Sequence, residues 1–467
     1  MTELTALSAT TLATGIKNKT YSCVEVMQAY LNKVDQVNPQ LNAVVQRLDP
    51  EIGMQQAKHA DEQLASGKPV GRLHGLPMTI KDHIKVKNFV VTRGSLAFKD
   101  YRCDCDAPIV AKLKNEGAIV IGITNMPELG PAFETDNDVY GLTKNPYDLS
   151  KTPGGSSGGE AAIIASGGST LGIGTDGGGS VRLPAHFSGI AGIKPTQHLV
   201  SCVGNVPADG GIGMVFYTPG PMARYIEDLR LVLPIISGPD GVDPHVMPLN
   251  LPMKTKPLNE MRIGYLVNSS QTTADRDTQA TMKNAIDALK GNVAEVTEVD
   301  FLDIDYIGQF HWETFFYGGD QAKGFMKILQ NEGLKKFSPT LQRFFDGAAQ
   351  SELFDAGELR RRFFEADQIR MQTLQHMQHF DAIILPACAT PAKPFGTTQA
   401  NMMDFNYTMA FNLLGWPGSV VRCGTSEEGL PIGLQVVAKP WGDYTTLAVA
   451  EYLEKSLGGW KMPTLNQ

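Results

Sequence analysis

The 39 residues from Gly154 to Gly192 hold 13 glycines, and serines sit inside two of the clusters. In Thr175-Asp-Gly-Gly-Gly-Ser180, three consecutive glycines precede a serine that opens a short helix predicted over 181–184. Glycines let successive backbone N–H groups face one point, which is what a developing oxyanion requires. The same segment also reads as a glycine-rich turn with Ser180 as an ordinary N-cap. A phosphate cradle is a third reading, but the G-K-[ST] ending of a P-loop is absent.

The other cluster is Pro153-Gly-Gly-Ser-Ser-Gly-Gly-Glu160. Ser157, followed three residues later by Glu160 and then by Ala161 to Ile164, predicts a capping box in front of an apolar helix. Ser156 lies just outside that cap, between glycines and close to a helix N-terminus. A hydroxyl nucleophile needs a base. His186 and His198 are near in sequence, although sequence proximity alone places neither imidazole on a hydroxyl. Lysine serves instead where burial strips its charge, and Lys81, ending the apolar run Leu76-Pro-Met-Thr-Ile-Lys81, is the best candidate. Its alternative is a surface lysine paired with Asp82.

Three further patterns fail in context. Gly172-Ile-Gly174-Thr-Asp-Gly177 matches G-x-G-x-x-G, but about 20 residues on the chain reads Ile193-Lys-Pro-Thr-Gln197, where a dinucleotide site needs an acidic residue. Gly154 to Gly158 matches G-x-S-x-G, but its left flank, Asn145 to Pro153, is a turn sequence and not the strand of a nucleophile elbow. His376-x-x-His379 lacks a third ligand nearby, so no metal or other cofactor is expected.

These groups must be positioned by elements that the sequence also indicates. Ser8 and Ser22 precede apolar patterns of helical period, so residues 1–65 are expected to form a mostly helical N-terminal arm. Leu76 to Lys81 reads as a strand. Asp106 is expected to cap a helix ending at Gly117, followed by a buried strand over Ala118–Ile123 of the parallel-sheet type. Beyond the Pro-rich stretch Pro239–Lys256, a long helical region runs from Gln309 to Phe380. Strands follow at 382–385 and 434–438, with Asp443 capping a last helix. The fold class expected is α/β, with a core over 66–467 whose halves, 66–240 and 241–467, are not separable domains. The aromatic stretch Phe310-His-Trp-Glu-Thr-Phe-Phe-Tyr317 suits a core helix face, or the lining of an apolar pocket.

The 467 residues are 42% hydrophobic and 19% charged, which excludes a disordered or fibrous chain. The net charge is -8 with no block of like charge, so nucleic-acid binding has no footprint, and the cluster Arg360-Arg-Arg362 is explained by a solvated helix face. Six cysteines without a C-x-x-C pair read as reduced thiols. No apolar stretch approaches the roughly 18 residues of a membrane span, and the N-terminus has no signal-peptide pattern. A cytoplasmic protein is the expectation.

Taken together, G-L-P-M-T-I-K-D at 75–82, P-G-G-S-S-G-G-E at 153–160 and G-T-D-G-G-G-S-V-R-L-P-A at 174–185 closely resemble the amidase signature family. The similarity extends to Thr124-Asn-Met-Pro-Glu128, Gly192-Ile-Lys-Pro-Thr196, Gly220-Pro-Met-Ala-Arg224 and Gly429-Leu-Pro-Ile-Gly-Leu-Gln435. Gly177 and Ala438 depart from the family's common residues, and 255–380 carries no family segment.

The resemblance implies a single α/β/α sandwich around a large mixed sheet. It also implies amide hydrolysis through an acyl-enzyme on Ser180, with Ser156, preceded by a cis peptide, relaying protons to a neutral Lys81. Gly177, Gly178, Gly179 and Ser180 would supply oxyanion N–H groups, while Ser157, Asp176 and Arg182 support the loops. The partner implied is a small-molecule amide, with room for a homodimer. The alternative is the A subunit of a glutamine-dependent tRNA amidotransferase, although Gln197 to Met214 does not look like that subfamily's continuation.

Overall fold

The computed structural model describes residues 3–205, 211–249, 251, 253–334 and 336–465. Part of the segment Gln197 to Met214, residues 206–210, therefore lies outside the described residues. Eleven strands form one sheet: β1 (Val44–Arg47), β2 (Pro77–Lys81), β3 (Ile119–Thr124), β4 (Leu171–Asp176), β5 (Ala191–Lys194), β6 (Thr218–Ala223), β7 (Arg262–Tyr265), β8 (Glu295–Glu298), β9 (Ala382–Pro386), β10 (Gly418–Thr425) and β11 (Pro431–Ala438). Their order is β1-β3-β2-β4-β6-β5-β10-β11-β9-β7-β8. The sheet is mixed, as expected: β2 runs parallel to β3 and β4, and β7 runs parallel to β8 and β9. The remaining pairs are antiparallel, and β5 with β10 joins the first half of the chain to the second. Helices flank the sheet, giving an α/β fold. No helix among the described residues is long and apolar enough to cross a membrane.

The apolar run of β2 and the β-branched residues of β3 are buried along their whole length, as parallel strands covered on both faces must be. Because β2 and β4 are parallel neighbours, Thr79 opposite Gly172 and Ile80 opposite Ile173, their C-terminal residues Lys81 and Thr175-Asp176 emerge at the same edge. The helix Gly158–Ala165 is buried at every residue. Its first turn passes so close to the chain that a Cβ on Gly159 would lie 2.5 Å from the Asn125 nitrogen.

Several local expectations need correction. Ser8 and Ser22 do precede helices, and both cap them, Ser22 in a capping box with Glu25. Ser157 makes no side-chain cap, and Glu160 turns inward instead to accept from the hydroxyls of Thr79 and Thr124. A carboxylate wholly shut off from water needs such donors more than a cap does. Asp106 does not cap Pro108–Asn115 but accepts from the Lys87 N–H and Lys114. Asp443 opens the helix Asp443–Leu457 without capping it, its carboxylate being taken by the N–H and hydroxyl of Thr196. Ser180 is likewise not the cap of Arg182–Phe187, since Asp176 accepts from the N–H groups of that turn. Within the N-terminal arm, Val44–Arg47 adds a strand pairing with β3. Gly172 and Gly174 lie inside β4 and not after it, so the dinucleotide pattern has no structural counterpart.

Candidate active site

At the end of β2, Lys81 has no solvent exposure. Its Nζ lies 2.7 Å from Ser156 Oγ and 2.7 Å from Thr175 Oγ1. Burial in this apolar layer lowers the Lys81 ammonium to about 7, against the opposing pull of the Asp176 and Glu160 charges. Asp82, the neighbour that a surface lysine would have paired with, faces the other way. It accepts from the N–H and hydroxyl of Thr92 at 2.8 and 2.5 Å, the alternation that a strand imposes.

Ser156 is carried on a cis peptide with Gly155. The next residue fixes its loop: Ser157 N–H donates to the Ser180 carbonyl at 3.2 Å, and Ser157 Oγ lies 3.3 Å from the Thr175 nitrogen and 3.4 Å from its carbonyl oxygen. Ser157 thus braces the serine-bearing segments through their backbones.

Asp176 and Arg182 form a buried bidentate pair. Nε donates to Oδ2 at 2.9 Å and Nη2 to Oδ1 at 2.8 Å. Burial pushes the Asp176 carboxyl up, but the Arg182 charge and hydrogen bonds, with Lys194 and Asn412, outweigh it and hold the group well below the usual carboxylate range. The glycine run is clamped by its carbonyls. Asn412 Nδ2 donates to the Asp176 carbonyl at 3.2 Å, His311 Nε2 to the Gly177 carbonyl at 2.8 Å, and Thr408 Oγ1 to the Gly178 carbonyl at 3.1 Å. A trans peptide points its N–H opposite to its C=O, so the first two clamps turn the N–H groups of Gly177 and Gly178 away from Asn412 and His311. Gly179 corrects the sequence expectation. Its N–H donates to Asp176 Oδ1 at 2.8 Å, which removes it from the set of N–H groups facing a substrate.

Ser156 and Ser180 open on one cavity of about 670 Å³. Its floor includes Thr175 and Gly177, and its far wall is aromatic, with Phe216, Phe315, Phe316 and Phe344. Residues 310–317 thus divide between the two readings of that stretch. Phe310 and Trp312 sit in the core away from the cavity, whereas Phe315, also a core residue, reaches the cavity with Phe316 and Tyr317 around the wide turn of π-helix at Trp312–Phe316.

The histidine alternatives for a base are otherwise engaged. Both nitrogens of buried His186 serve the backbone, Nε2 at 3.0 Å from the Thr390 carbonyl and Nδ1 accepting from Gly433 N–H at 2.7 Å. Burial lowers its imidazole to about 4. His198 stacks on His245, with ring centroids 5.7 Å apart. His376 stacks on Phe301 at 5.3 Å, and among the described residues no group of three His, Cys, Asp or Glu side chains is arranged to hold a metal ion. Arg362 departs from a solvated face, since its guanidinium lies over Phe354 at 4.1 Å and bonds Glu313 and Thr314. Sequence reasoning misses Thr175, His83, Tyr217 and His311 as site groups. Thr175 alone carries a signal, as the first residue of the glycine cluster that ends at Ser180.

The arrangement places a buried amine of low proton affinity on a hydroxyl, beside a second hydroxyl and a set of oriented N–H groups, in a cavity with apolar walls. Comparison with known proteins agrees with this chemistry. The family model described as Amidase matches residues 25–447. The chain is 32% identical to fatty-acid amide hydrolase 2 of Homo sapiens over 98% of this chain and 91% of that protein. It is 31% identical to the A subunit of the glutamyl-tRNA(Gln) amidotransferase of Clostridium botulinum, strain Alaska E43, over 94% of this chain and 95% of that protein. Among solved structures, a fatty acid amide hydrolase superposes with a TM-score of 0.89 at 25% identity, covering 98% of this chain and 87% of the other. With its sheet, its buried amine and these relatives in agreement, the chain belongs to the amidase (amidase signature) family, a family of amide-hydrolysing enzymes.

Proposed function

We propose that this protein hydrolyses carboxamides with apolar acyl groups through an acyl-enzyme on Ser180. The observation that carries the reading is the 2.7 Å contact of buried Lys81 Nζ with Ser156 Oγ, at the floor of the cavity that Ser156 shares with Ser180. Neutral Lys81 takes the Ser156 proton while Ser156 takes that of Ser180, and the Ser180 oxygen attacks the amide carbonyl. Charge develops on the carbonyl oxygen, where the N–H groups of Gly177, Gly178 and Ser180 stabilise it. The C–N bond then breaks as Ser156 returns a proton to the leaving nitrogen and regains one from the Lys81 ammonium. Water, deprotonated by the same pair, releases the acid. Asp176, Arg182 and Ser157 hold the loops and do not touch the substrate.

Support for an apolar acyl group comes from the cavity wall, which Phe216, Phe315, Phe316, Phe325 and Phe344 line. The similarity to the Clostridium botulinum protein favours a second reading, a glutaminase acting within a complex. The test is a panel of aliphatic, aryl and fatty amides and free glutamine, offered to the purified chain and to its Ser180→Ala variant. Turnover of the apolar amides, lost in Ser180→Ala, is the expected result. Glutamine turnover that appears only when partner subunits and tRNA are added would transfer the assignment to the second reading.

A further inference from the structure

The hydrogen bonds around Thr175 do not end at Lys81. His83 Nδ1 lies 3.2 Å from Thr175 Oγ1 and 2.5 Å from the Tyr217 hydroxyl, so both hydroxyls meet the same imidazole nitrogen. The two rings meet edge to face, with centroids 5.5 Å apart at 83°. Thr175 and His83 are buried, and all three residues stand in the wall of the cavity. The sheet register gathers them: His83 follows the end of β2, Thr175 is the penultimate residue of β4, and Tyr217 immediately precedes β6, whose Thr218 pairs with Asp176.

This chain bears on which way the base faces. A neutral amine has one lone pair, and Lys81 has two hydroxyl neighbours. If the lone pair is spent on Thr175, only N–H bonds face Ser156 and no proton can be taken from it. If Thr175 instead accepts an N–H from Lys81, its own hydrogen must go elsewhere. His83 Nδ1, 3.2 Å away, takes that hydrogen beside the one that the Tyr217 hydroxyl donates. With the imidazole proton on Nε2, Nδ1 offers a lone pair and nothing else. Burial holds the Tyr217 phenol well above its usual range, so it remains a donor. The bonds from Lys81 to Thr175 and from Thr175 to His83 then point the same way.

We propose that His83, acting through Thr175, is a positioning residue that turns the lone pair of Lys81 toward Ser156. The proposal rests on the acyl-enzyme reading above. It involves no net proton transfer along the chain, only its direction, and it makes the acceptor at Nδ1 the property that matters.

The test compares kcat and KM for His83→Phe, His83→Asn and Thr175→Val on two amides, one with an acetyl group and one with a long acyl chain. Removing the terminal acceptor in His83→Phe is expected to lower kcat about tenfold or more, by the same factor on both amides, with KM changed less than about twofold. His83→Asn, whose amide oxygen reaches the place of Nδ1, is expected to recover most of that loss. Thr175→Val lowers kcat by itself but adds almost nothing in the His83→Phe background, because the chain is already broken. Should His83→Phe fail to fold, Thr175→Val carries the same expectation of reduced kcat. Wild-type kcat in the folded variants, a loss that depends on the acyl group, or fully additive losses would each overturn the proposal. Turnover persisting in Ser180→Ala would instead sink the functional reading. A dead Ser180→Ala beside an unimpaired His83→Phe would sink this inference alone.

Discussion

Asp176 grips Arg182 through both carboxylate oxygens, at 2.9 and 2.8 Å, and neither side chain has any solvent exposure. The remaining donors of the guanidinium reach across to the second half of the chain, at 2.6 Å to Gln435 Oε1, 2.6 Å to Asn412 Oδ1 and 2.9 Å to the Thr408 carbonyl. Arg182 is thus where the glycine loop is fastened to β11 and to the helix Asn406–Leu413. Removing one member of a buried pair strands the other charge at a cost of about 3–5 kcal/mol. Arg182→Met is expected to lower the urea midpoint by a corresponding amount. A midpoint equal to that of the wild type would show that the pair is not what fastens the loop. The carboxyl of Asp176 lies below its ordinary value in the folded state. Its contribution to stability is therefore complete above the unfolded value of 3.8, and is lost only as the pH falls from there toward the folded value.

On the proposed reading, Lys81 sets the pH dependence of the rate. Its ammonium is lowered from 10.5 to about 7, and only the amine accepts a proton. The value of kcat/KM is expected to rise with pH through about 7 and then level off, until other groups titrate. Lys81→Met should lose a hundredfold or more in kcat and leave no such limb. A wild-type profile flat between about pH 5 and 9 would contradict a lysine base. The same shift acts on stability, which rises with pH here as it does for Asp176, but as a penalty that fades. Between about 7 and 10.5 the unfolded chain binds the proton that the folded chain has released, so the penalty for burying this group is complete below 7 and fades as the pH rises to 10.5.

How far the sequence reveals the site depends on whether a residue's role is written in its immediate neighbours. Lys81 is legible because an apolar strand ending in lysine implies a buried amine, and the glycine cluster before Ser180 because N–H groups of successive residues are local by construction. Glu160 misleads for the same reason. A capping box is a local pattern, but the helix Gly158–Ala165 is buried on all sides, and the Thr79 and Thr124 hydroxyls compete for its carboxylate from 81 and 36 residues away. His83 and Tyr217 are 134 residues apart and meet only because β2, β4 and β6 lie side by side. The aromatic wall escapes periodicity because Trp312–Phe316 turns as a π-helix, which moves Phe315 and Phe316 off the face that a 3.6-residue repeat assigns them.

That wall yields a prediction graded by depth. Phe316 stacks on Trp312, with centroids 4.4 Å apart at 21°, and stands over the glycine cradle, where added Cβ atoms on Gly177 and Gly178 would meet its ring at 3.5 and 3.6 Å. Ile328 also lines the cavity but is 46% exposed, which places it at the mouth. An acyl group that fills the cavity meets Phe316 first, and only a long one extends to Ile328. Burying a large apolar side chain is worth about 1.5–3 kcal/mol, and a fraction of that is at stake in each contact with the substrate. Phe316→Ala is expected to raise KM about tenfold for aryl and long-chain amides alike, whereas Ile328→Asp raises it only for the long chain and leaves a short aryl amide unchanged. Initial-rate measurements on a series of acyl lengths would check this. If KM responded equally to both substitutions at every length, the acyl group would have to leave the serines by some path other than this aromatic wall.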